Sequence, residues 1–222
     1  MKRTPEPELM DSEDQARAYA EADFSEANTL FEQQFLERLP QAGRGGRLVD
    51  LGCGPADICV RLGSRLAGWS ITGLDAGPNM LKHAQAAVDR AGLQAKVELR
   101  LAHLPDHSLE ARAFQAVVSN SLLHHLPDPT ILWTTIRQVG APGATVQVMD
   151  LSRPASEADA AAIVERHAAG APRVLQEDFY NSLLAAYTPA EVEQQLQDCG
   201  LDGFEILQPS DRHWLVAGQL PE

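Results

Sequence analysis

The sequence is poor in positive charge, with 18 lysine and arginine residues against 31 aspartate and glutamate residues and a formal net charge of −13 at pH 7. An acidic chain repels a phosphate backbone, so we expect no nucleic-acid partner. No apolar run approaches the ~20 residues that span a bilayer, and residues 1–14 are too charged for a signal peptide. We therefore expect a cytoplasmic protein without a membrane span.

Cysteine is also scarce. Cys53, Cys59 and Cys199 are odd in number and show no paired spacing, which argues against a disulfide framework and gives no sign of zinc ligation. Cys53 lies in a glycine-rich turn and Cys59 in the helical sequence after it, where small size and packing explain both. We expect reduced thiols and no metal site.

What the sequence does contain is an apolar run at residues 48–51 that passes through a glycine-rich turn into helix-forming sequence. Gly52 and Gly54 lack a Cβ atom, so the chain can turn sharply there and a ligand can approach the main chain closely. The amides at the start of the next helix then point towards that ligand. A tight strand-to-helix connection with no ligand explains the same residues, and this alternative stays open.

A second apolar run, residues 69–74, ends in Asp75, which follows Gly54 by 21 residues. In a doubly wound sheet a carboxylate ~20 residues beyond the turn bonds ribose hydroxyls, so a ribose-bearing cofactor is implied. Asp50 precedes the glycines and would repel a pyrophosphate, which favours a cationic ligand over a dinucleotide. The G-x-G-x-x-G spacing of nicotinamide enzymes is also absent after Gly54.

Three segments, in chain order, resemble the motifs of one enzyme family. They are Asp50-Leu51-Gly52-Cys53-Gly54, Leu74-Asp75-Ala76-Gly77-Pro78-Asn79-Met80-Leu81 and Ser119-Asn120-Ser121-Leu122-Leu123-His124-His125-Leu126. Over residues 45–150 the chain resembles the class I S-adenosylmethionine-dependent methyltransferases, most closely their small-molecule branch with the ubiquinone/menaquinone C-methylases. It departs from the family pattern at Ala56, where many members carry a third glycine, and at Gln115, where an aspartate often precedes the fourth strand.

The resemblance implies S-adenosylmethionine as the cofactor. By this resemblance Asp50 lies near the methionine moiety, Asp75 binds the ribose diol and Met80 packs against adenine. Ser119 and Asn120 face the methionine end. The complete set of implied cofactor contacts is Asp50, Gly52, Cys53, Gly54, Asp75, Ala76, Met80, Ala102, His103, Ser119 and Asn120.

Methyl transfer from a sulfonium is an in-line displacement with an activated leaving group, so the protein mainly aligns the reactants and excludes water. A general base is required only when the acceptor must lose a proton. His124 and His125, directly after the fourth predicted strand, are the catalytic candidates. Tyr19, His125, Tyr180 and Tyr187 are candidate contacts of a small-molecule acceptor. The alternative is a cofactor-binding or scaffold protein without turnover, and the acceptor and the oligomeric state stay open.

The alternation of strand and helix patterns predicts an α/β fold with parallel strands. The resemblance adds a doubly wound, Rossmann-like sheet of seven mostly parallel strands, the last one antiparallel. Predicted strands cover residues 48–51, 69–75, 96–101, 114–119, 144–149, 204–208 and 213–218. We expect a disordered tail at residues 1–10 and a single methyltransferase domain at residues 11–222, with an N-terminal helical lid (11–45) and a helical cap insertion (152–188).

Overall fold

The strand and helix patterns form one sheet flanked by helices in the computed structural model, which describes residues 1–6, 12–39 and 45–222. Its strands are β1 Gly46–Leu51, β2 Trp69–Asp75, β3 Val97–Leu101, β4 Phe114–Asn120, β5 Gly140–Leu151, β6 Glu205–Leu207 and β7 His213–Gln219. Its helices are α1 Glu13–Glu21, α2 Ser25–Arg38, α3 Asp57–Arg65, α4 Pro78–Ala91, α5 Thr130–Val139, α6 Glu157–Ala168, α7 Arg173–Ala185 and α8 Pro189–Asp198. A short 3-10 helix, Leu123–His125, follows β4.

The strand order across the sheet is β3-β2-β1-β4-β5-β7-β6. Strands β1 to β5 pair in parallel, and β7 is antiparallel to both β5 and β6. The predicted α/β class, the seven strands and the antiparallel last strand are thus confirmed within the described residues. Because the chain builds outwards from β1 to β3 and then returns to place β4 beside β1, a crevice opens at the carboxyl ends of β1 and β4.

The apolar strands are buried by helices on each face of the sheet. On one face, Phe31 and Phe35 of α2 and Leu62 of α3 are completely buried. On the other, Trp133 of α5 and Leu196 of α8 pack over the sheet, and the indole nitrogen of Trp133 donates to Gln195 at 3.0 Å. No helix in the described ranges has the length and hydropathy that crossing a membrane requires.

The N-terminal helical region consists of two helices, α1 and α2. The side-chain oxygen of Ser12 caps α1 by accepting a hydrogen bond from the amide of Gln15. Helix α2 begins at Ser25, whose amide donates to the carboxylate of Asp23 at 2.9 Å. The rest of the predicted tail and lid, residues 7–11 and 40–44, lies outside the described residues.

Residues 1–6, which we name the N-terminal strap, differ from the disordered tail expected there. The amide of Thr4 donates to the carbonyl oxygen of Leu184 at 3.0 Å. The guanidinium of Arg3 donates to the carbonyl oxygens of Ala185 and His124, at 2.5 and 2.8 Å. The strap therefore joins the end of α7 to the 3-10 helix. Composition alone missed it because these contacts are made by single residues rather than by an apolar face.

Strand β5 is longer than the predicted strand at residues 144–149. It begins at Gly140, which pairs with Phe114, and the register to β4 shifts before Ala116 pairs with Thr145. The glycine and proline at residues 140–143, which suggest a turn, are thus absorbed into the strand as an irregularity. The far end of β5 reaches Leu151 and carries Asp150 to the same edge of the sheet as Asp50.

Helices α6 and α7 occupy the segment predicted as a cap. A small apolar cluster formed by Leu151, Ala160, Val164, Leu183 and Ala186 joins them to the end of β5. The two helices therefore sit at the carboxyl edge of the sheet, on the side where the crevice opens.

Candidate functional site

A cavity of about 730 Å³ lies at the carboxyl ends of β1, β2 and β4. Its walls are completed by α1, by the start of α2 and by the segment around α6 and α7. Small-molecule sites in proteins are clefts of ~300–1,000 Å³, so the cavity has the size of a ligand site. Its position matches the crevice that the strand order creates.

The glycine turn forms the floor of the cavity and is fastened to β2. The amides of Gly52 and Cys53 both donate to the carbonyl oxygen of Leu74, at 2.9 and 2.8 Å. Gly52 and Gly54 have φ angles of +76° and +51°, which L-residues with a side chain rarely adopt. A Cβ atom built on Gly54 would have no heavy atom within 4 Å, so its backbone is open to close approach.

Ala56 closes the turn in the left-handed conformation, with φ 68° and ψ 26°. This is a conformation that glycine adopts without strain. The position where many members of the resembled family carry a third glycine is therefore a strained one in this chain. Helix α3 starts at the next residue, Asp57, and presents its first amides towards the cavity side.

Asp75 ends β2 at the wall of the cavity. One carboxylate oxygen accepts a hydrogen bond from the amide of Gly54 and the other from the amide of Gly77, both at 2.8 Å. These two bonds fix the carboxylate plane and hold the glycine turn against the end of β2. Because each carboxylate oxygen has a second lone pair, the fixed group can also accept from ligand hydroxyls.

Asp50 is the penultimate residue of β1 and is 1% exposed. One of its oxygens accepts from the thiol of Cys59 at 3.3 Å, whereas the other, Oδ1, has no hydrogen-bond partner within the described residues. Burial raises the pKa of Asp50 to about 7, against the hydrogen bond from Cys59, and the neighbouring Asp75 adds to the rise. A buried oxygen without a hydrogen-bond partner is costly, so this site favours a hydrogen-bond donor or a cation that enters from the cavity.

The 3-10 helix after β4 brings two histidines to the cavity. The ring Nδ1 of His124 lies 2.5 Å from Oδ1 of Asp150, and the backbone amide of His124 donates to the other oxygen of that carboxylate at 3.1 Å. Oε1 of Glu6, from the strap, lies 3.4 Å from Nε2 of His124 and 3.2 Å from Nδ1 of His125. Three separate segments of the chain thus converge on one point.

The protonation states of this cluster are coupled. Burial opposes the charged form of His124, but the charge and hydrogen bond of Asp150, together with Glu6, raise the pKa of the imidazole above its ordinary value. Burial opposes ionisation of Asp150 as well, but the charge of His124, together with hydrogen bonds from its ring and from the amides of Leu151 and His124, lowers the pKa of the carboxyl. Burial raises the pKa of Glu6. The structure therefore has an oriented imidazole at the cavity wall.

Tyr19 of α1 covers another part of the cavity. Its ring packs against Phe24 at a centroid distance of 4.6 Å. Burial, and the negative charges of Asp150 and Asp75, raise the pKa of Tyr19 to about 12. The hydroxyl therefore stays protonated at neutral pH and is a hydrogen-bond donor.

Most of the residues singled out in the sequence line this cavity. They are Tyr19, Asp50, Gly52, Cys53, Gly54, Asp75, Ala76, Met80, Ala102, His103, Asn120, His124 and His125. The structure brings them together from the carboxyl ends of four strands, β1 to β4, and from α1, α4 and the 3-10 helix.

Three of the candidate residues are not brought to the cavity wall. Ser119 is completely buried, and its hydroxyl donates to the carbonyl oxygen of Leu51 at 2.7 Å. Tyr180 packs against the apolar cluster between α6 and α7. Tyr187 is buried with its ring 4.2 Å from the guanidinium of Arg3.

The structure also adds residues that sequence reasoning missed. Asn28 lines the cavity, donates to Asp57 at 2.5 Å and accepts from Asn120 at 3.2 Å, which ties α2 to the site. The sequence carries a signal for Asn28, because its spacing from Phe31 and Phe35 puts it on the same buried face of α2. Asp178 of α7 is a further lining residue, and burial raises the pKa of its carboxyl.

Comparison with protein families matches residues 49–146 to the methyltransferase domain model. The chain is 28% identical over 182 residues to a ubiquinone biosynthesis O-methyltransferase of Psychrobacter arcticus, a match covering 78% of this chain and 67% of that protein. Proteins of the same name from Psychrobacter cryohalolentis and Xanthomonas axonopodis are each 30% identical, over 49% of this chain. The chain spans less than half the length of these two, 42% and 44%.

Solved structures extend the similarity over the whole chain. A putative S-adenosyl-L-methionine-dependent methyltransferase from Methanococcus maripaludis superposes with a TM-score of 0.73 at 14% identity, covering all of this chain and 98% of its own. A phosphoethanolamine N-methyltransferase from Haemonchus contortus, in complex with S-adenosylhomocysteine, gives a TM-score of 0.67 at 15% identity, covering 95% of this chain and 58% of its own. At these identities the structures share the fold.

We predict that alanine substitution destabilises the chain to different extents at the two glycines of the turn. A Cβ atom on Gly52 would lie 2.8 Å from the side chain of Leu122, whereas one on Gly54 meets nothing within 4 Å. We expect Gly54→Ala to lose ~1–2 kcal/mol for its backbone alone, and Gly52→Ala to lose roughly 1–3 kcal/mol more through overpacking. Urea unfolding measures both, and equal losses would contradict the close contact with Leu122.

The raised pKa of Asp50 predicts a pH-dependent stability. The folded carboxyl titrates at about 7, above the ~3.9 of an unfolded aspartate, so the folded chain binds more protons between these values. The contribution of Asp50 to stability is therefore lost as the pH rises through this window. We expect Asp50→Asn to gain Tm relative to the unmodified chain from about pH 4 to about pH 7.

The control for this experiment is Asp106→Asn, on a loop outside the cavity. Hydrogen bonds from Ser108 lower the pKa of Asp106, so the Tm difference should not widen above about pH 4. A Tm difference for Asp50→Asn that stays constant over the same range would contradict the raised pKa.

Proposed function

We propose that this chain, whose residues 49–146 match the methyltransferase domain model, transfers a methyl group from S-adenosylmethionine to a small molecule bound in the cavity. The observation that carries the proposal is the pairing of Asp50 and Asp75 around an open glycine turn.

The residues present fit the cofactor. Asp50 offers a buried oxygen that lacks a partner in the described structure, which suits the positively charged methionine end of the ligand. Asp75 offers a carboxylate held in one orientation by two amides, which suits ribose hydroxyls. Gly54 leaves room for the ligand at the main chain. When bound, the cofactor supplies a methyl group on a sulfonium, which is already an activated leaving group.

The proposed acceptor end of the cavity is formed by the two histidines and Tyr19. A cavity of about 730 Å³ lies in the upper part of the range for small-molecule sites, ~300–1,000 Å³, which leaves space beside the cofactor. Relatives named ubiquinone biosynthesis O-methyltransferases also favour a small acceptor. The net charge of −13 disfavours a nucleic acid in this role.

The proposed task of His124 and His125 is to accommodate the reacting atom of the acceptor. Asp150 orients the ring of His124, so that Nε2 and not Nδ1 is directed to Glu6 and the cavity. An acceptor with a hydroxyl or ammonium group must lose a proton, and the two imidazoles are placed to accept that proton. Tyr19 lines the same cavity and can donate a hydrogen bond to the acceptor.

Removal of the Asp75 carboxylate tests the cofactor site. We expect Asp75→Ala to weaken S-adenosylmethionine binding by about 10- to 100-fold, since hydrogen bonds to a charged group contribute ~1.5–3 kcal/mol. Isothermal titration calorimetry measures the change. Asp106→Ala is a matched control, because Asp106 also accepts from an amide two residues on but does not line the cavity. Unchanged affinity in Asp75→Ala would contradict the proposed site.

Methyl transfer itself is tested with cofactor labelled in the methyl group. The purified chain is incubated with a panel of phenols, amines, thiols and acidic carbon compounds, and the label is followed into product. We expect transfer to at least one class. Tight cofactor binding with no transfer to any acceptor would favour the cofactor-binding or scaffold alternative instead.

A further inference from the structure

The strap places a carboxylate against two histidines that the sequence separates from it by more than a hundred residues. Glu6, His124 and His125 each offer one ligand atom, and no two of these atoms are more than 4.8 Å apart. Oε1 of Glu6 lies 3.4 Å from Nε2 of His124 and 3.2 Å from Nδ1 of His125. Ligands at the corners of a tetrahedron with bonds of ~2.0–2.1 Å are about 3.3 Å apart. The two measured separations agree with that value.

A second layer of side chains orients these donors. Asp150, 1% exposed, bonds Nδ1 of His124 and leaves Nε2 directed at Glu6. A carboxylate on the far nitrogen of a ligating histidine is the usual support of a metal-bound imidazole, because it fixes the tautomer and raises the basicity of the ring. The hydroxyl of Ser182 donates to Glu6 at 3.0 Å and fixes that carboxylate too.

The charges around the cluster suit a cation. Glu6 and Asp150 are carboxylates beside His124, and the carboxylate residue Asp178 lines the same cavity as the two histidines. The nearby guanidinium of Arg3 is directed at the carbonyl oxygens of His124 and Ala185 rather than at the three donors.

We propose that Glu6, His124 and His125 bind a divalent transition metal of the zinc type, with a fourth position open to the cavity. Two imidazoles and one carboxylate suit zinc, iron, nickel or copper, whereas magnesium and calcium prefer oxygen ligands alone. Three protein ligands with one open position are typical of catalytic rather than structural zinc sites. The expectation of no metal site rested on the cysteines, and the described residues place the donors elsewhere.

His124 and His125 line the proposed acceptor end of the cavity, and the proposal places the open position on that side. If the chain methylates a small molecule as proposed above, the metal selects acceptors with a hydroxyl or another oxygen or nitrogen donor, because such a group can occupy that position. The two histidines then serve as metal ligands, and the acceptor proton is lost to solvent more easily from the coordinated group.

Metal binding is tested without cofactor or acceptor. The full chain, free of any polyhistidine tag and stripped with a chelator, is titrated with Co²⁺ and read by its visible absorption, with Zn²⁺ as competitor. We expect one Co²⁺ per chain in a low-symmetry site, displaced by one Zn²⁺. Glu6→Gln, His124→Gln and His125→Gln should each lose at least about 100-fold in affinity, and Asp150→Asn about 10- to 100-fold.

The matched controls are Glu13→Gln and His107→Gln, which change the same residue types at exposed positions. Both should bind Co²⁺ like the unmodified chain. Circular dichroism checks folding, and Glu6→Gln is the decisive variant because Glu6 belongs to no helix or strand. Absence of the Co²⁺ spectrum, or equal affinity in the Glu6→Gln and Glu13→Gln chains, would overturn the proposal.

The outcomes separate this site from the proposed function. A chain that binds Co²⁺ but not S-adenosylmethionine retains the metal site and loses the methyl-transfer proposal. A chain that binds S-adenosylmethionine but not Co²⁺ retains the methyl-transfer proposal and loses the metal site.

Discussion

The bond between the end of β2 and the glycine turn is the interaction on which the cavity depends. The carbonyl of Leu74 accepts from two amides of the turn, and the next residue, Asp75, accepts from Gly54 and Gly77 with both carboxylate oxygens. These bonds hold a left-handed backbone that would otherwise relax. With the turn fixed, the floor of the cavity and the start of α3 have one position relative to the sheet.

The same edge of the sheet collects three buried or half-buried carboxylates at the ends of strands, and each is stabilised in a different way. Asp75 is surrounded by amides, and Asp150 by the imidazole and amide of His124. Asp50 has only a thiol on one oxygen, and its pKa rises to about 7. Asp50 therefore has the fewest hydrogen-bond partners of the three carboxylates within the described residues, and it is the one placed to respond to a ligand. The difference in hydrogen bonding separates Asp50 and Asp75, the proposed cofactor contacts, from Asp150 beside His124, the proposed acceptor contact.

Local sequence predicted the central elements well where a single pattern dominates. The strand at residues 69–75 has the predicted bounds, since its apolar run is unbroken. The comparisons confirm the family resemblance, since residues 49–146 match the methyltransferase domain model. The prediction was weaker at Gly140, where turn-forming residues are held in a strand by pairing with Phe114, a contact that local sequence does not encode.

The sequence by itself determined the order of strands and helices and the glycine turn, because these follow from hydrophobic spacing and from backbone freedom within a few residues. It also determined which strand ends carry aspartates. Only the tertiary structure decided that Tyr180 and Tyr187 are packed away from the cavity and that Glu6 reaches His124 and His125. The physical reason is that such contacts join segments far apart in the chain, and their geometry depends on how the sheet, the cap and the strap pack together.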